Sequence, residues 1–286
     1  MPLNDIYCQS VLSFFNKEIW KKFNKAISDY KLIEDGDRIA ICISGGKDSM
    51  LMAKCLQLLQ GFGKPDFSIE YVVMDPGYDK VNRDKIVQNA EILGLPIHIY
   101  DTKIFGSAEK SGDNPCFLCA RLRRGWLYKK AQELNCNKIA LGHHFDDVIE
   151  TILMGMLYGS QMQTMLPKLH SENYEGIQLI RPLYLIREND VISWAEHCGL
   201  SFIQCACRMS EKRSDEEAGS KRFEIKMLLK QLRKTNPAVD MNIFRSAENV
   251  NLRTLMSYHD GNNYHHFLDD YDKGITVRGT INKKYT

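Results

Sequence analysis

A doubly wound parallel α/β sheet with helical extensions is the fold class this sequence predicts, and three observations carry it. Short apolar runs rich in β-branched residues alternate with helix-length segments from residue 38 to about 200. One run, Arg38-Ile39-Ala40-Ile41-Cys42-Ile43, passes through Ser44-Gly45-Gly46-Lys47-Asp48-Ser49 directly into the helical pattern Met50–Leu56. The chain of 286 residues, 44% hydrophobic and 26% charged, is long enough for one large α/β domain with extensions.

Taken in order, residues 9–30 carry Val11, Leu12, Phe15, Ile19, Phe23 and Ile27 at helical spacing with lysines between, which predicts an amphipathic helix. The strand 38–43 and its glycine turn follow. Backbone N–H groups converge where such a turn meets a helix N-terminus, and the helix dipole favours negative charge there. Gly45 and Gly46 leave no Cβ in the way of an anion, Lys47 adds a positive charge, and Ser44 and Ser49 add hydroxyl donors. The spacing is not that of the Walker phosphate loop, which ends in Gly-Lys-Ser/Thr. A strand at 69–74, a helix over 80–94 stopped by Gly94, and a strand at 97–100 continue the alternation. Ligands sit beyond the carboxyl ends of strands in such sheets, which brings Met74 and Asp75 close to the glycine turn.

Cys116 and Cys119 form a Cys-x-x-Cys pair before a helix reaching Leu134, a pattern suited to a metal, an iron–sulfur cluster or a dithiol couple. Arg121, Arg123 and Arg124, with Lys129 and Lys130, could line an RNA groove or form the solvated face of that helix. A strand at 137–142 leads to Gly142-His143-His144-Phe145-Asp146-Asp147. Acidic side chains past a strand end and beside a phosphate loop suit Mg²⁺, which makes Asp48 and Asp147 the candidates, although Asp146 or Asp147 could simply cap the following helix. An edge strand at 177–181, a helix at 188–198 and a short apolar strand ending in Phe202-Ile203 come next. Cys205 and Cys207 follow it, giving two cysteine pairs far apart in sequence. Four ligands would suit zinc, and three plus an open iron position would suit a cluster; residue chemistry leaves both open. Cys8, Cys42, Cys55, Cys136 and Cys198 read as packing residues. Residues 208–222 read as a mobile polar loop, followed by a basic helix with Lys226, Lys230, Arg233 and Lys234. The polar residues from 257 onward read as a peripheral or disordered tail.

Composition narrows the setting. No apolar stretch has membrane-spanning length and the N-terminus lacks a secretory pattern, which points to a cytoplasmic protein with no membrane partner. A net charge of +2 means that nucleic-acid binding must come from local basic patches. Nine cysteines, an odd number, without a secretion signal argue for free, metal-binding or redox thiols.

The Ser44–Ser49 run resembles the loop of the PP-loop ATP pyrophosphatases, which have the adenine nucleotide alpha hydrolase-like fold. That resemblance implies cleavage of ATP between the α and β phosphates and adenylation of a substrate oxygen. It places Ser44, Gly45, Gly46, Lys47, Asp48 and Ser49 at the nucleotide, with Lys47 and Asp48 catalytic and Met74 and Asp75 against adenine and ribose. The Gly142–Thr151 run is similar to a second signature of PP-loop tRNA-modifying enzymes, so Gly142, His143 and Asp147 should flank the nucleotide. All these motifs with the late cysteines resemble the TtcA family, tRNA 2-thiocytidine biosynthesis proteins, over roughly residues 10–250. The resemblance implies ATP, Mg²⁺ and a 4Fe-4S cluster on Cys116, Cys119 and one of Cys205 or Cys207, with Cys205 favoured by the preceding Phe-Ile. It implies sulfur transfer to cytidine 32 in a tRNA anticodon loop, a cysteine desulfurase or other sulfur donor as partner, and leaves a homodimer open. Four segments are expected: 1–30 helical, 31–205 the PP-loop domain, 206–256 a polar loop and helices, and 257–286 the tail. Three other readings stand beside this one: a uridine or non-tRNA thiolase, a lysidine-synthetase-like ligase, and a zinc-stabilised ATP- or RNA-binding protein without turnover. The paired cysteines argue against the ligase, which has no use for them.

Overall fold

The computed structural model describes residues 5–109, 115–203, 220–269 and 271. The chain divides into a larger unit, Met1–Leu228, and a smaller one, Leu229–Thr286.

The N-terminal amphipathic segment is helical but not a uniform α-helix. The α-helices Ile6–Gln9 (α1) and Lys21–Asp29 (α2) flank two π-helical stretches, Ser10–Phe14 and Asn16–Trp20. The sequence explains the π turns. Val11, Phe15, Ile19, Phe23 and Ile27 recur every fourth residue, whereas an α-helix turns once per about 3.6 residues, so their stripe would drift around it. The wider i→i+5 turns offset that drift. All five side chains are buried.

The core sheet has six strands: Arg38–Ile43 (β1), Ser68–Asp75 (β2), His98–Asp101 (β3), Lys138–Ala140 (β4), Lys168–His170 (β5) and Gln178–Ile180 (β6). Their order is β3-β2-β1-β4-β6-β5, parallel throughout except for the antiparallel β5–β6 pair. Between them run the helices Lys47–Gly61 (α3), Lys80–Leu93 (α4), Ile104–Glu109 (α5), Pro115–Glu133 (α6) and Phe145–Tyr158 (α7), with Glu188–His197 (α8) after β6. Central β1 is buried on both faces, as a covered parallel sheet requires. Ala40 and Cys42 pack with Tyr128 and Ala131 of α6. Ile39, Ile41 and Ile43 fall on the opposite face by strand alternation and are equally buried. Gly94 takes φ +64 and ends α4, the left-handed cap that its glycine signalled.

Three expectations need correction. The strand at 178–180 is internal rather than an edge, because the short strand 168–170 folds back beside it and takes the edge. Three residues with Lys and His at the ends give too little alternation to read. Ser201–Ile203 forms no strand: Asn89 donates to the Ser201 carbonyl at 3.0 Å, and Phe202 stacks on Trp194. Side-chain packing, not a ladder, holds this apolar pair. At the C-terminal side of the expected polar loop, helix begins at Lys221, and Lys221–Thr235 (α9) contains the boundary of the two units.

In the smaller unit, Val239–Glu248 (α10) places buried Asp240 against Arg233, whose Nε donates to both carboxylate oxygens at 3.0 and 2.9 Å. Ser257–Asp260 (β7) and Asn263–His266 (β8) form an antiparallel hairpin where composition suggested a peripheral or disordered tail; cross-strand rings supply its order, with Tyr258 stacked on His265. Among the described residues no helix is long and apolar enough to cross a membrane.

Candidate functional site

The carboxyl ends of β1, β2 and β4 open into a cleft of about 300 Å³. Its floor is apolar, with Cys42, Ile43, Val72, Met74, Leu127 and Leu141, and its rim is polar, with Ser44, Asp48, Ser49, Arg123, His143 and Asp147. A flat heteroaromatic ring suits the floor, and a charged tail suits the rim.

The glycine turn is shaped by close packing. Gly45 takes φ +84, and a Cβ there would lie 2.5 Å from Ile86 Cγ1 and 2.8 Å from Ile203 Cδ1. Gly46 is the N-cap of α3 in extended backbone, with no side-chain cap, so the first N–H groups of the helix face the cleft rim uncapped by side chains. Buried Ser49 braces the turn: its Oγ donates to the Gly46 carbonyl at 2.9 Å and accepts from the Ser44 N–H at 3.1 Å. The second turn presses against the first. A Cβ on Gly142 would lie 3.1 Å from the Ser49 nitrogen and 3.2 Å from the Asp48 carbonyl carbon. Only glycine lets β4's carboxyl end approach the loop this closely.

His144 caps α7 in a reciprocal box. Its N–H donates to Asp147 Oδ2 at 3.0 Å, and its Nδ1 accepts from the Asp147 N–H at 3.3 Å. An accepting Nδ1 leaves the proton of a neutral ring on Nε2, which lies 3.9 Å from Asp48 Oδ1. That carboxylate oxygen is buried and has no hydrogen bond among the described residues, although Lys47 Nζ is 3.3 Å away. A buried acceptor without a hydrogen bond beside a phosphate-type loop suits a hard cation. Asp146 accepts from the Glu188 N–H at 2.8 Å and serves the joint between α7 and α8. Burial, reinforced by Arg181 and Arg222, pushes His143 down to about 4, so its imidazole is neutral near pH 7, and its buried Nδ1 has no hydrogen bond among the described residues.

A charged cluster lies beside the rim, joined to it through Lys47 and Asp147. Glu188 at the start of α8 lies 3.3 Å from Lys47 Nζ through one oxygen and 3.3 Å from Lys226 Nζ through the other. Glu150, almost fully buried on α7, lies 3.1 Å from Arg222 Nε and 3.8 Å from Lys226 Nζ. Burial pushes the Glu150 carboxyl up, whereas at Glu188 the surrounding positive groups outweigh burial and hold it below its ordinary value.

Of the residues singled out from sequence, Ser44, Asp48, Ser49, Met74, Gly142, His143 and Asp147 share the cleft lining, with Gly45, Gly46 and Lys47 in the turn beside it. Asp75 is committed elsewhere: its carboxylate accepts from the Gly77 and Tyr78 N–H groups and pairs with Arg83 at 2.6 Å. Of Cys116 only its place on the first turn of α6 is described; Cys119 lies one turn later and is half-buried. Cys205 and Cys207 lie outside the described residues. Arg123 follows Cys119 by four residues, so the helical positions of Cys116, Cys119 and Arg123 share one face, and Arg123 reaches the cleft. Ile203, two residues before Cys205, packs with Ile86 beside Gly45 of the glycine turn. Sequence reasoning missed Glu188, Glu150 and Cys42. Cys42, read as packing, also lines the cleft, with a thiol that burial pushes up to about 12.

Comparison with known proteins agrees with this geometry. Residues 15–212 match the family model described as PP-loop domain. The tRNA-cytidine(32) 2-sulfurtransferase of Geobacter metallireducens is 33% identical over 252 residues, covering 86% of this chain and 96% of that protein. The tRNA-cytidine(32) 2-sulfurtransferase of Vibrio vulnificus is 37% identical over 237 residues, covering 82% of this chain and 74% of that protein. Among solved structures, the U34-tRNA thiolase NcsA from Methanococcus maripaludis with its 4Fe-4S cluster superposes with a TM-score of 0.61 at 23% identity, covering 80% of this chain and 77% of that one. That likeness establishes a shared fold.

Proposed function

The chain belongs to the PP-loop family, among the tRNA-cytidine(32) 2-sulfurtransferases (TtcA), and from that premise we propose that it uses ATP to activate C2 of cytidine 32 in tRNA for thiolation. The observation that carries the ATP reading is the cleft: a cavity of about 300 Å³ with an apolar floor lies beside an uncapped helix N-terminus, Lys47 and a buried Asp48 oxygen without a hydrogen bond. In the activation step the cytosine O2 forms a bond to the α-phosphorus, the bond to the β-phosphate oxygen breaks, and pyrophosphate leaves. Sulfide then forms the C2–S bond as the C2–O bond breaks and AMP departs.

The chain's own groups have distinct tasks in this reading. The uncapped N–H groups of α3 bind phosphate oxygens, and Lys47 neutralises charge that develops on the leaving pyrophosphate. Asp48 and Asp147 would hold Mg²⁺, with the His144 backbone N–H holding the Asp147 carboxylate at 3.0 Å and the His144 ring 3.9 Å from Asp48 Oδ1. Gly142 lets the second turn pack against the backbone of Asp48 and Ser49. Asp75 acts at one remove, by fixing the turn 75–78 beside Met74.

Cys116, Cys119 and one late cysteine, Cys205 first and Cys207 second, fit the ligand set of a 4Fe-4S cluster. The first two positions share a helix face, and Ile203, two residues before Cys205 in sequence, lies beside Gly45 of the glycine turn. Such a cluster, when bound, supplies an open iron position able to hold sulfide. A cysteine desulfurase or other donor would load it.

The test combines anaerobically reconstituted protein, ATP and tRNA, with AMP, pyrophosphate and modified nucleosides followed together. The expected result is tRNA-dependent AMP formation and 2-thiocytidine at position 32. A thiouridine product, or ATP turnover indifferent to tRNA, would sink the substrate assignment. Asp48→Ala is expected to abolish AMP formation, and its persistence would remove Asp48 as a magnesium ligand. Serine at Cys116, Cys119 or Cys205 is expected to abolish cluster absorbance; loss at Cys207 but not Cys205 would move the third ligand.

A further inference from the structure

We propose that Arg222 and Lys226, on the first two turns of α9, bind the β- and γ-phosphates of ATP alongside Lys47 and so form the far half of the pyrophosphate site. This rests on the ATP reading above and extends it to residues outside the glycine turn. One carboxylate, Glu188, lies 3.3 Å from Lys47 Nζ and 3.3 Å from Lys226 Nζ. The two ammonium groups therefore sit within the span of one diphosphate. Arg222 lies 3.6 Å from Asp147 Oδ1, and Asp147 lines the cleft.

Among the described residues, ion pairs away from the site are short, except for Lys138–Glu34 at 3.4 Å and Lys168–Glu34 at 3.6 Å on the exposed Glu34. A charge-assisted hydrogen bond between N and O measures about 2.7–2.9 Å. The pairs that brace the fold meet that standard: Lys138–Asp37 at 2.6 Å, Lys54–Asp5 at 2.8 Å, Lys22–Asp190 at 2.7 Å and Arg83–Asp75 at 2.6 Å. The pairs at the rim do not: Lys47–Asp48 and Lys47–Glu188 are 3.3 Å apart, Lys226–Glu188 is 3.3 Å, Arg222–Asp147 is 3.6 Å and Lys226–Glu150 is 3.8 Å. Buried Glu150 Oε2 has no well-formed hydrogen bond even with Arg222 Nε 3.1 Å away. The hydrogen bonds that Lys47 donates to Asp48 and Glu188 and that Lys226 donates to Glu188 are long, at 3.3 Å each, and three cations thus face four carboxylates at attraction distance. A polyphosphate offers each of them a stronger, better-shaped acceptor, while Mg²⁺ satisfies the carboxylates that they leave. Arg222 and Lys226 are nearly half exposed on long flexible stems, so the exchange needs side-chain rotation only.

The experiment is calorimetric binding of Mg·ATP, pyrophosphate and AMP to the full chain and to Arg222→Met, Lys226→Met and Lys47→Met. Arg222→Met and Lys226→Met are each expected to weaken pyrophosphate and ATP binding about tenfold and AMP binding less than twofold, because AMP lacks the outer phosphates. Arg222→Lys and Lys226→Arg should return pyrophosphate affinity to within about threefold of the parent, which a merely structural role would not require. Unchanged pyrophosphate affinity in both methionine variants, with Lys47→Met still impaired, overturns the proposal and leaves the loop reading intact. An equal loss of AMP and pyrophosphate affinity also overturns it, by showing general disruption. Indifference of all three methionine variants would overturn the ATP reading and this proposal together.

Discussion

The loop wall of the cleft and the charged cluster beside it are held by different forces. The wall of Ser44–Ser49 is fixed by backbone: a left-handed glycine, a serine brace and the close approach of Gly142. The charged cluster beside it, Glu150, Glu188, Arg222 and Lys226, is held by charge, at distances longer than those of tight hydrogen-bonded pairs. The difference teaches how one site can be both rigid and adaptable. Backbone geometry leaves the loop one shape, so it can be preorganised for phosphate, whereas loosely paired long side chains can exchange partners when charge arrives and leaves.

That contrast can be broken first on the rigid side. Gly45→Ala meets both strain at φ +84 and overlap with Ile86 and Ile203, so it should lose about 2–4 kcal/mol of stability, read by urea denaturation. Retained stability would show that the loop yields. Gly142→Ala tests the same wall more gently. Its Cβ must push the backbone of Asp48 and Ser49 by a few tenths of an ångström, so stability should fall by about 1–2 kcal/mol while AMP formation falls at least tenfold. Equal small effects on both would mean that the approach of the two turns does not set catalytic geometry.

On the charged side, Glu188→Gln removes the carboxylate shared by Lys47 and Lys226. Because the group is partly exposed and its pairs are long, stability should change by less than about 1 kcal/mol. ATP affinity measured by calorimetry should rise about threefold as a competitor for both lysines disappears. A fall in affinity would make Glu188 a ligand rather than a competitor. A pH test reads His143. The folded protein keeps this ring neutral down to about 4, while the unfolded chain takes up its proton near the ordinary value of 6.5. The unfolded state therefore binds more protons between those values, and stability falls as pH falls from about 6.5 toward 4. His143→Gln should flatten that part of the profile, seen as a smaller difference between urea midpoints at pH 7 and pH 5. An unchanged difference would place the acid sensitivity elsewhere.

Much of the rigid wall was legible because its determinants are contiguous. Strand, Ser-Gly-Gly-Lys-Asp-Ser and helix follow each other without interruption, and the Gly142–Asp147 turn repeats that pattern once. The strand alternation of β1 and β2 and the capping glycine of α4 were readable for the same reason. Glu188 was not: it is an ordinary acidic residue at a helix start with no neighbour in sequence that marks it, and Glu150, although inside the Gly142–Thr151 run, carried no role of its own there. The π turns under Val11–Ile27 were hidden in a spacing that reads as helix whichever hydrogen-bond pattern is used. Strand β5 was invisible because three residues carry almost no periodic signal.

What the sequence determined by itself was the sheet-and-helix class, the phosphate loop, the second turn and the cysteine pattern, since each is written in local backbone preference and short spacing. Only the tertiary structure decided that Asp75 braces a turn, that Cys42 reaches the cleft floor, and that α8 and α9 bring Glu188, Arg222 and Lys226 to Lys47. The Lys47–Glu188 pair joins residues 141 positions apart, and such long-range electrostatic partners are chosen by how elements pack, not by anything their neighbours along the chain record.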